Sequence, residues 1–276
     1  MEVTFYGVRG SCPSPSEANR RYGGNTASVA LLASGHDPIM LDMGTGLRRF
    51  GETQPCDGTF RGSALVTHLH WDHVQGLPFF PPVDRVGAHL DVYGPSQVGG
   101  SLAQMFDDVV RPPYFPVRVS DLRGTIAFHE VDDEDLAVGD AKVRVRQVPH
   151  TGPTVGYRIE RDGAVVVYIS DHQEPIGSRD VADSVIELAD GADLLIHDAQ
   201  YRPDEFAEKA HWGHCTAGYA LRVAQAACVR TVALFHHDPS HGDDEMDRLL
   251  DQATQMSAAC GGPEVIAAYE GLCIAL

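Results

Sequence analysis

The sequence is short of basic residues, of paired cysteines and of long apolar runs, and each shortage excludes something. Acidic residues number 39 against 21 basic ones, a formal charge of −18. A field of that sign repels a polyanion, so composition argues against a large nucleic-acid footprint. The six cysteines, at positions 12, 56, 215, 228, 260 and 273, form no Cys-x-x-Cys pair. That scatter fits reduced thiols better than a disulfide framework or a structural zinc site. Apolar runs stay short, Ala164 to Ile169 being typical, so no membrane-spanning helix is expected. Met1 to Tyr6 shows no basic stretch followed by an apolar one, and a cytoplasmic location is the expectation.

What is present is a 276-residue chain, 43% hydrophobic, with no fixed-period repeat, linker or low-complexity tract. One domain spanning 1–276 is the expectation. Its central feature is Thr67-His68-Leu69-His70-Trp71-Asp72-His73, directly after the apolar run Ala64-Leu65-Val66. Such a run reads as a buried strand ending where the polar groups begin. The alternating spacing of His68 and His70 puts both on one side of extended backbone. Asp72 and His73 follow in a turn, so the four groups need not converge on one ion. Imidazole and carboxylate suit zinc, with manganese or iron as alternatives.

Other ligand-type residues recur after apolar runs: His150 after Arg146-Gln147-Val148-Pro149, Asp171 after Val167-Tyr168-Ile169-Ser170, and His236 and His237 after Val232-Ala233-Leu234-Phe235. Singly, each reads as a turn residue or cap. Together with the opening run they make a six- or seven-ligand set suited to two metal ions. Asp42 ends another short strand and reads either as a partner to a ligand loop or as a cap for a helix near Leu47. The loop holding Arg9, Arg20 and Arg21 reads equally as a phosphate clamp or a solvated loop. Helices are expected over 101–110, 179–189, 216–228 and 243–259. Arg161-Asp162-Gly163 signals a hairpin. Phe79-Phe80-Pro81-Pro82 could be a homodimer surface or a pocket lid.

These residues resemble the metallo-β-lactamase-fold hydrolases, whose signature is the His-x-His-x-Asp-His run plus a later His, Asp and His. Leu90 to Pro95, Leu194-Leu195-Ile196-His197-Asp198-Ala199 and Gly213-His214-Cys215-Thr216 resemble the ribonuclease Z and cyclic-phosphate phosphodiesterase branch within that family, with Cys215 where the branch has serine. A zinc β-lactamase usually carries cysteine where Asp171 stands, which argues against antibiotic hydrolysis.

The resemblance implies an α/β, four-layer αββα sandwich with metals at one edge. It implies His68, His70 and His150 at a first metal, Asp72, His73 and His236 at a second, and Asp171 bridging, with His237 the alternative to His236. The catalytic assignments it implies are His214, protonating the leaving oxygen, and Asp72; Asp198 could orient His214. His211 and Trp212 could shape the rim, and His172, His197 and His241 carry no role. Two departures bear on substrate. Ribonuclease Z enzymes usually carry a long arm between the third His and the bridging Asp, but here 171 − 150 = 21 positions separate them. The Cys/His structural zinc cluster of the phosphonate-pathway enzymes has no counterpart. The expectation is therefore a phosphodiesterase using two divalent ions, zinc first, on a small cyclic or nucleotide-derived phosphodiester. Lactone or carboxyl-ester hydrolysis, or a metal-bound binding role without turnover, are the alternatives.

Overall fold

Alternating burial along the first strand, where Val3, Phe5 and Gly7 turn inward, sets one face of its sheet against the core. The computed structural model describes residues 1–276. Six strands build one sheet in chain order: β1 (Glu2–Gly7), β2 (Ser28–Leu32), β3 (Ile39–Leu41), β4 (Arg61–Leu65), β5 (His89–Pro95) and β6 (Thr125–Val131). Seven build the other: β7 (Glu134–Val138), β8 (Ala141–Gln147), β9 (Val155–Arg161), β10 (Ala164–Ile169), β11 (Leu194–Asp198), β12 (Thr231–Phe235) and β13 (Glu264–Ala267). The last strand, β14 (Cys273–Ala275), returns to pair antiparallel with β1. In both sheets a parallel half, β3 to β6 and β10 to β13, adjoins an antiparallel half.

Three apolar layers hold the sandwich. Between the sheets lie Val3, Phe5, Val29, Leu31, Tyr157, Ile159, Val166 and Ile196. Outside the first sheet, Ala30, Met40 and Val92 meet α1 (Leu47–Gly51), α2 (Trp71–Val74) and α3 (Leu102–Val109) through Leu47, Phe50, Val74 and Phe106. Beyond the second sheet, Val167, Leu195 and Val232 meet α4 (Asp183–Ala189), α6 (Ala217–Ala226) and α7 (Asp243–Cys260), while α5 (Pro203–Lys209) buries no residue. Covered on both faces, β11 is buried at all five positions, so His197 and Asp198 at its end are buried along with Leu194, Leu195 and Ile196. Fully burying one such aliphatic side chain stabilises by about 1.5–3 kcal/mol.

Most expected elements are present. Ser101 and Thr216 cap α3 and α6 by accepting from the amides of Gln104 and Tyr219. Asp162 and Gly163 have φ of 55° and 78°, as a two-residue hairpin turn requires. The helix expected over 179–189 starts only at Asp183. Neither β7 nor α5 was expected: β7 is a largely exposed acidic edge strand, and α5 has no apolar face to signal it. No helix is long and apolar enough to cross a membrane.

Candidate metal centre

Strand ends deliver the ligand-type residues to one edge. β4 feeds the turn carrying His68 to His73, β8 the loop carrying His150, β10 ends before Asp171, and β12 before His236. The two sheets are tied there by the Val155 amide, which donates to the Thr67 carbonyl. His68, His70, Asp72, His73, His150, Asp171 and His236 arrive in two adjoining groups, and His237 does not.

In the first group His70 Nδ1 lies 2.8 Å from His68 Nε2 and 3.4 Å from His150 Nε2. Asp171 Oδ2 stands 3.8 and 3.7 Å from those two Nε2 atoms. In the second group His236 Nε2 lies 3.0 Å from Asp72 Oδ2 and 3.2 Å from His73 Nε2. Asp171 Oδ1 turns toward this group, 3.2 Å from His73 Nε2 and 3.5 Å from His236 Nε2. Donors held about 2.0–2.2 Å from a tetrahedral ion stand roughly 3.3–3.6 Å from one another. The spacings bracket that value, and the two oxygens of Asp171 face separate groups.

The outward nitrogens fix which way the lone pairs face. Nδ1 of His73 meets Asp42 Oδ2 at 2.7 Å, that of His150 the Gly213 carbonyl at 2.6 Å, and that of His236 Gln200 Oε1 at 2.8 Å. Each acceptor takes the Nδ1 proton, leaving the Nε2 lone pair for the centre. Asp171 Oδ1 is buried with no hydrogen-bond partner, a cost that a cation removes. Burial alone would depress the pKa of His73, yet Asp72, Asp171 and Asp42 hold it well above the imidazole value. Burial would raise Asp171, but the surrounding His236, His73, His68 and His150 hold it well below the carboxylate range. These carboxylates demand positive charge, and a divalent ion supplies it while leaving the imidazoles neutral. The residues fit a metal.

Beside the centre, His214 Nδ1 donates to Asp198 Oδ2 at 2.9 Å, and its ring stacks on His236 with centroids 5.0 Å apart. Burial would lower its pKa, but Asp198 and then Asp171 raise it overall. With Nδ1 held, Nε2 is the atom that can meet a substrate. Asp198 is pinned in turn by the amides of His172 and Gln200. Gly213 (φ 97°) brings its backbone so close to the His150 ring that a side chain there would collide with it.

The open alternatives resolve. Asp42 accepts from the Thr67 amide, Tyr168 hydroxyl and His73, and does not cap α1. His237 turns away, its Nε2 donating to the Ala268 carbonyl. Arg9 is no phosphate clamp, since its buried guanidinium donates to the carbonyls of Gly23, Asp238 and His241. Arg21 pairs with Asp247, and Arg20 with Glu17. His172 and His197 form a buried pair 2.9 Å apart behind the centre. Sequence reasoning missed Gln200 and the Ser11 amide, which donates to Asp72 Oδ2 at 2.7 Å. Gln200 follows a buried strand, the same signal that found Asp171, whereas a backbone amide leaves no signal in side-chain identity.

Residues 39–237 match the family described as the beta-lactamase superfamily domain. A ribonuclease Z from Natronomonas pharaonis is 28% identical, the alignment covering 88% of this chain and 89% of that protein. The metallo-beta-lactamase fold protein YhfI from Bacillus subtilis superposes with a TM-score of 0.75 at 20% identity, covering 99% of this chain and 98% of the other. Human tRNase Z, short form, superposes at 0.71 and 21% identity, covering 100% and 99%.

These relatives correct one expectation. A small-molecule phosphodiester as the substrate, with no large nucleic-acid footprint, does not stand, because similar proteins over most of this chain are named ribonucleases. Net charge sums the whole surface, whereas phosphate recognition can be local to a metal centre, so the acidic composition excluded too much. The two sheets, the ligand edge and the family match together make this chain a member of the beta-lactamase superfamily, a metal-dependent hydrolase of the metallo-β-lactamase fold.

Proposed function

We propose that residues 1–276 form one hydrolase domain that cleaves RNA phosphodiester bonds with two divalent ions, zinc first among the candidates. The observation that carries the reading is Asp171, whose two oxygens face separate donor groups while His214 stands alongside. When bound, such a pair supplies Lewis acidity and an activated water. His68, His70 and His150 would hold one ion, Asp72, His73 and His236 the other, and Asp171 both. Asp72, whose Oδ2 is fixed for this by the Ser11 amide, would also orient the attacking water. His214 hands a proton from Nε2 to the departing ribose oxygen, and Asp198 keeps that imidazole oriented and charged. The ribonuclease names of the relatives support RNA as the substrate class.

The test is hydrolysis of bis-p-nitrophenyl phosphate and of a precursor transfer RNA by protein stripped of metal and then reloaded with zinc or manganese. Turnover of both should appear only on reloading. Protein carrying two equivalents of metal that cleaves neither would sink the proposal.

A further inference from the structure

The chain has two tryptophans, Trp71 and Trp212, and both are exposed, by 59% and 56% respectively. Tryptophan is on average highly buried, because its large ring gains most from leaving water. Leaving both in solvent forgoes that gain twice, and both lie in segments that carry residues of the candidate centre. Trp71 is bonded to His70 on one side and Asp72 on the other. Trp212 precedes Gly213, whose carbonyl accepts from His150 Nδ1. Of the ligand-type residues in the first group, His70 is the exposed one, and its Nδ1 lies 3.4 Å from His150 Nε2. The centre therefore opens beside the two segments that carry the tryptophans. Lys209 Nζ stands 5.8 Å from the Trp212 ring and 5.2 Å from that of Tyr201, whose ring meets His214 at 5.5 Å. A cation and aromatic faces thus continue outward from the candidate centre.

We infer that Trp71 and Trp212 are stacking platforms for unpaired nucleobases flanking the scissile phosphate, so that the RNA is single-stranded where it is cut. This rests on the phosphodiesterase reading and narrows its substrate. Stacking accepts any base, because every base has a π-face, and it does not depend on charge. It therefore suits an acidic protein that cannot grip RNA through a long basic groove. Duplex RNA, whose bases already stack on each other, offers these rings no face.

The experiment titrates metal-loaded protein with a short, phosphorothioate-linked, single-stranded oligoribonucleotide and follows tryptophan emission. Saturable quenching is expected in the native protein and in Trp71→Phe and Trp212→Phe, where the remaining tryptophan reports. Alanine at either position should weaken affinity about tenfold, read by polarisation of a labelled oligonucleotide, and phenylalanine should restore most of it. A duplex of the same sequence should leave the emission unchanged. Absent quenching, equal quenching by duplex, or alanine variants binding as tightly as the native protein would each overturn the inference. The underlying reading fails separately: metal-loaded protein that quenches with RNA but hydrolyses no phosphodiester would bind RNA without being the enzyme proposed.

Discussion

His214 shows at the scale of one residue how position sets chemistry. Its Nδ1 is committed to Asp198 at 2.9 Å, and the surrounding carboxylates favour its charged form despite burial. An acid of this kind matters in proportion to the basicity of the departing oxygen. His214→Ala should slow cleavage of RNA by about 10²–10⁴-fold and hydrolysis of the p-nitrophenyl ester far less. Equal losses on the two substrates would rule out the acid role. The pH profile follows from the same shift. The donor form exists below the raised pKa, so activity on RNA is lost as pH rises through it. Asp198→Asn removes the main raising charge and should move that alkaline limb to lower pH; an unmoved limb would assign the titration to another group. The sequence exposed His214 through its neighbours in the motif, and it favoured His236 over His237 by resemblance alone. That choice is made by backbone: His236 has a φ of 59°, so consecutive side chains diverge, one into the centre and one into the core. Burial there depresses the His237 pKa to about 3, as expected of a neutral structural imidazole.

Elements explain why so much of the centre was legible. A buried strand such as β10 or β12 reads as an apolar run, and the polar residues just after it must lie at the sheet edge, so Asp171 and the His236–His237 pair could be placed there from pattern alone. The exposed β7 and α5 carry no such contrast and were missed. The same placement ties metal to stability. His68 to His73 leave the first sheet, whereas His150, Asp171 and His236 leave the second. An ion held among them would cross-link the sheets, and its removal would leave the buried Asp171 oxygen without a partner. Ligand at a hundredfold excess over its Kd stabilises by about 2.7 kcal/mol. For a chain of this size that corresponds to a Tm roughly 5–10 °C higher. Chelation should therefore lower the Tm by about that much, and zinc should restore it, as read by scanning calorimetry. A Tm indifferent to verified metal removal would mean that the groups bind no ion strongly in the folded state.

Across the whole molecule, the charge of −18 that misled the substrate expectation becomes a property to be measured. Many of the arginines are already paired: Arg21 with Asp247, Arg123 with Asp84, Arg146 with Glu187, Arg161 with Asp140, and Arg248 with Glu245. Little free positive surface is left to release counterions from RNA. A protein that binds through a basic groove loses affinity steeply as salt rises, with a log–log slope set by the phosphates it neutralises. Here the long-range term has the opposite sign. Salt shortens the Debye length from about 30 Å at 0.01 M to about 8 Å at 0.15 M, screening the repulsion between acidic protein and polyanion. Stacking carries little charge dependence, and contacts within the metal centre lie well inside a Debye length, so both survive that screening. KM for a single-stranded RNA, measured with metal at saturation, should fall or stay level as monovalent salt rises from about 0.01 to 0.15 M. A KM that climbs over that range with the slope of several phosphate contacts would place a basic RNA-binding surface on this molecule and remove the need for stacking at the rim.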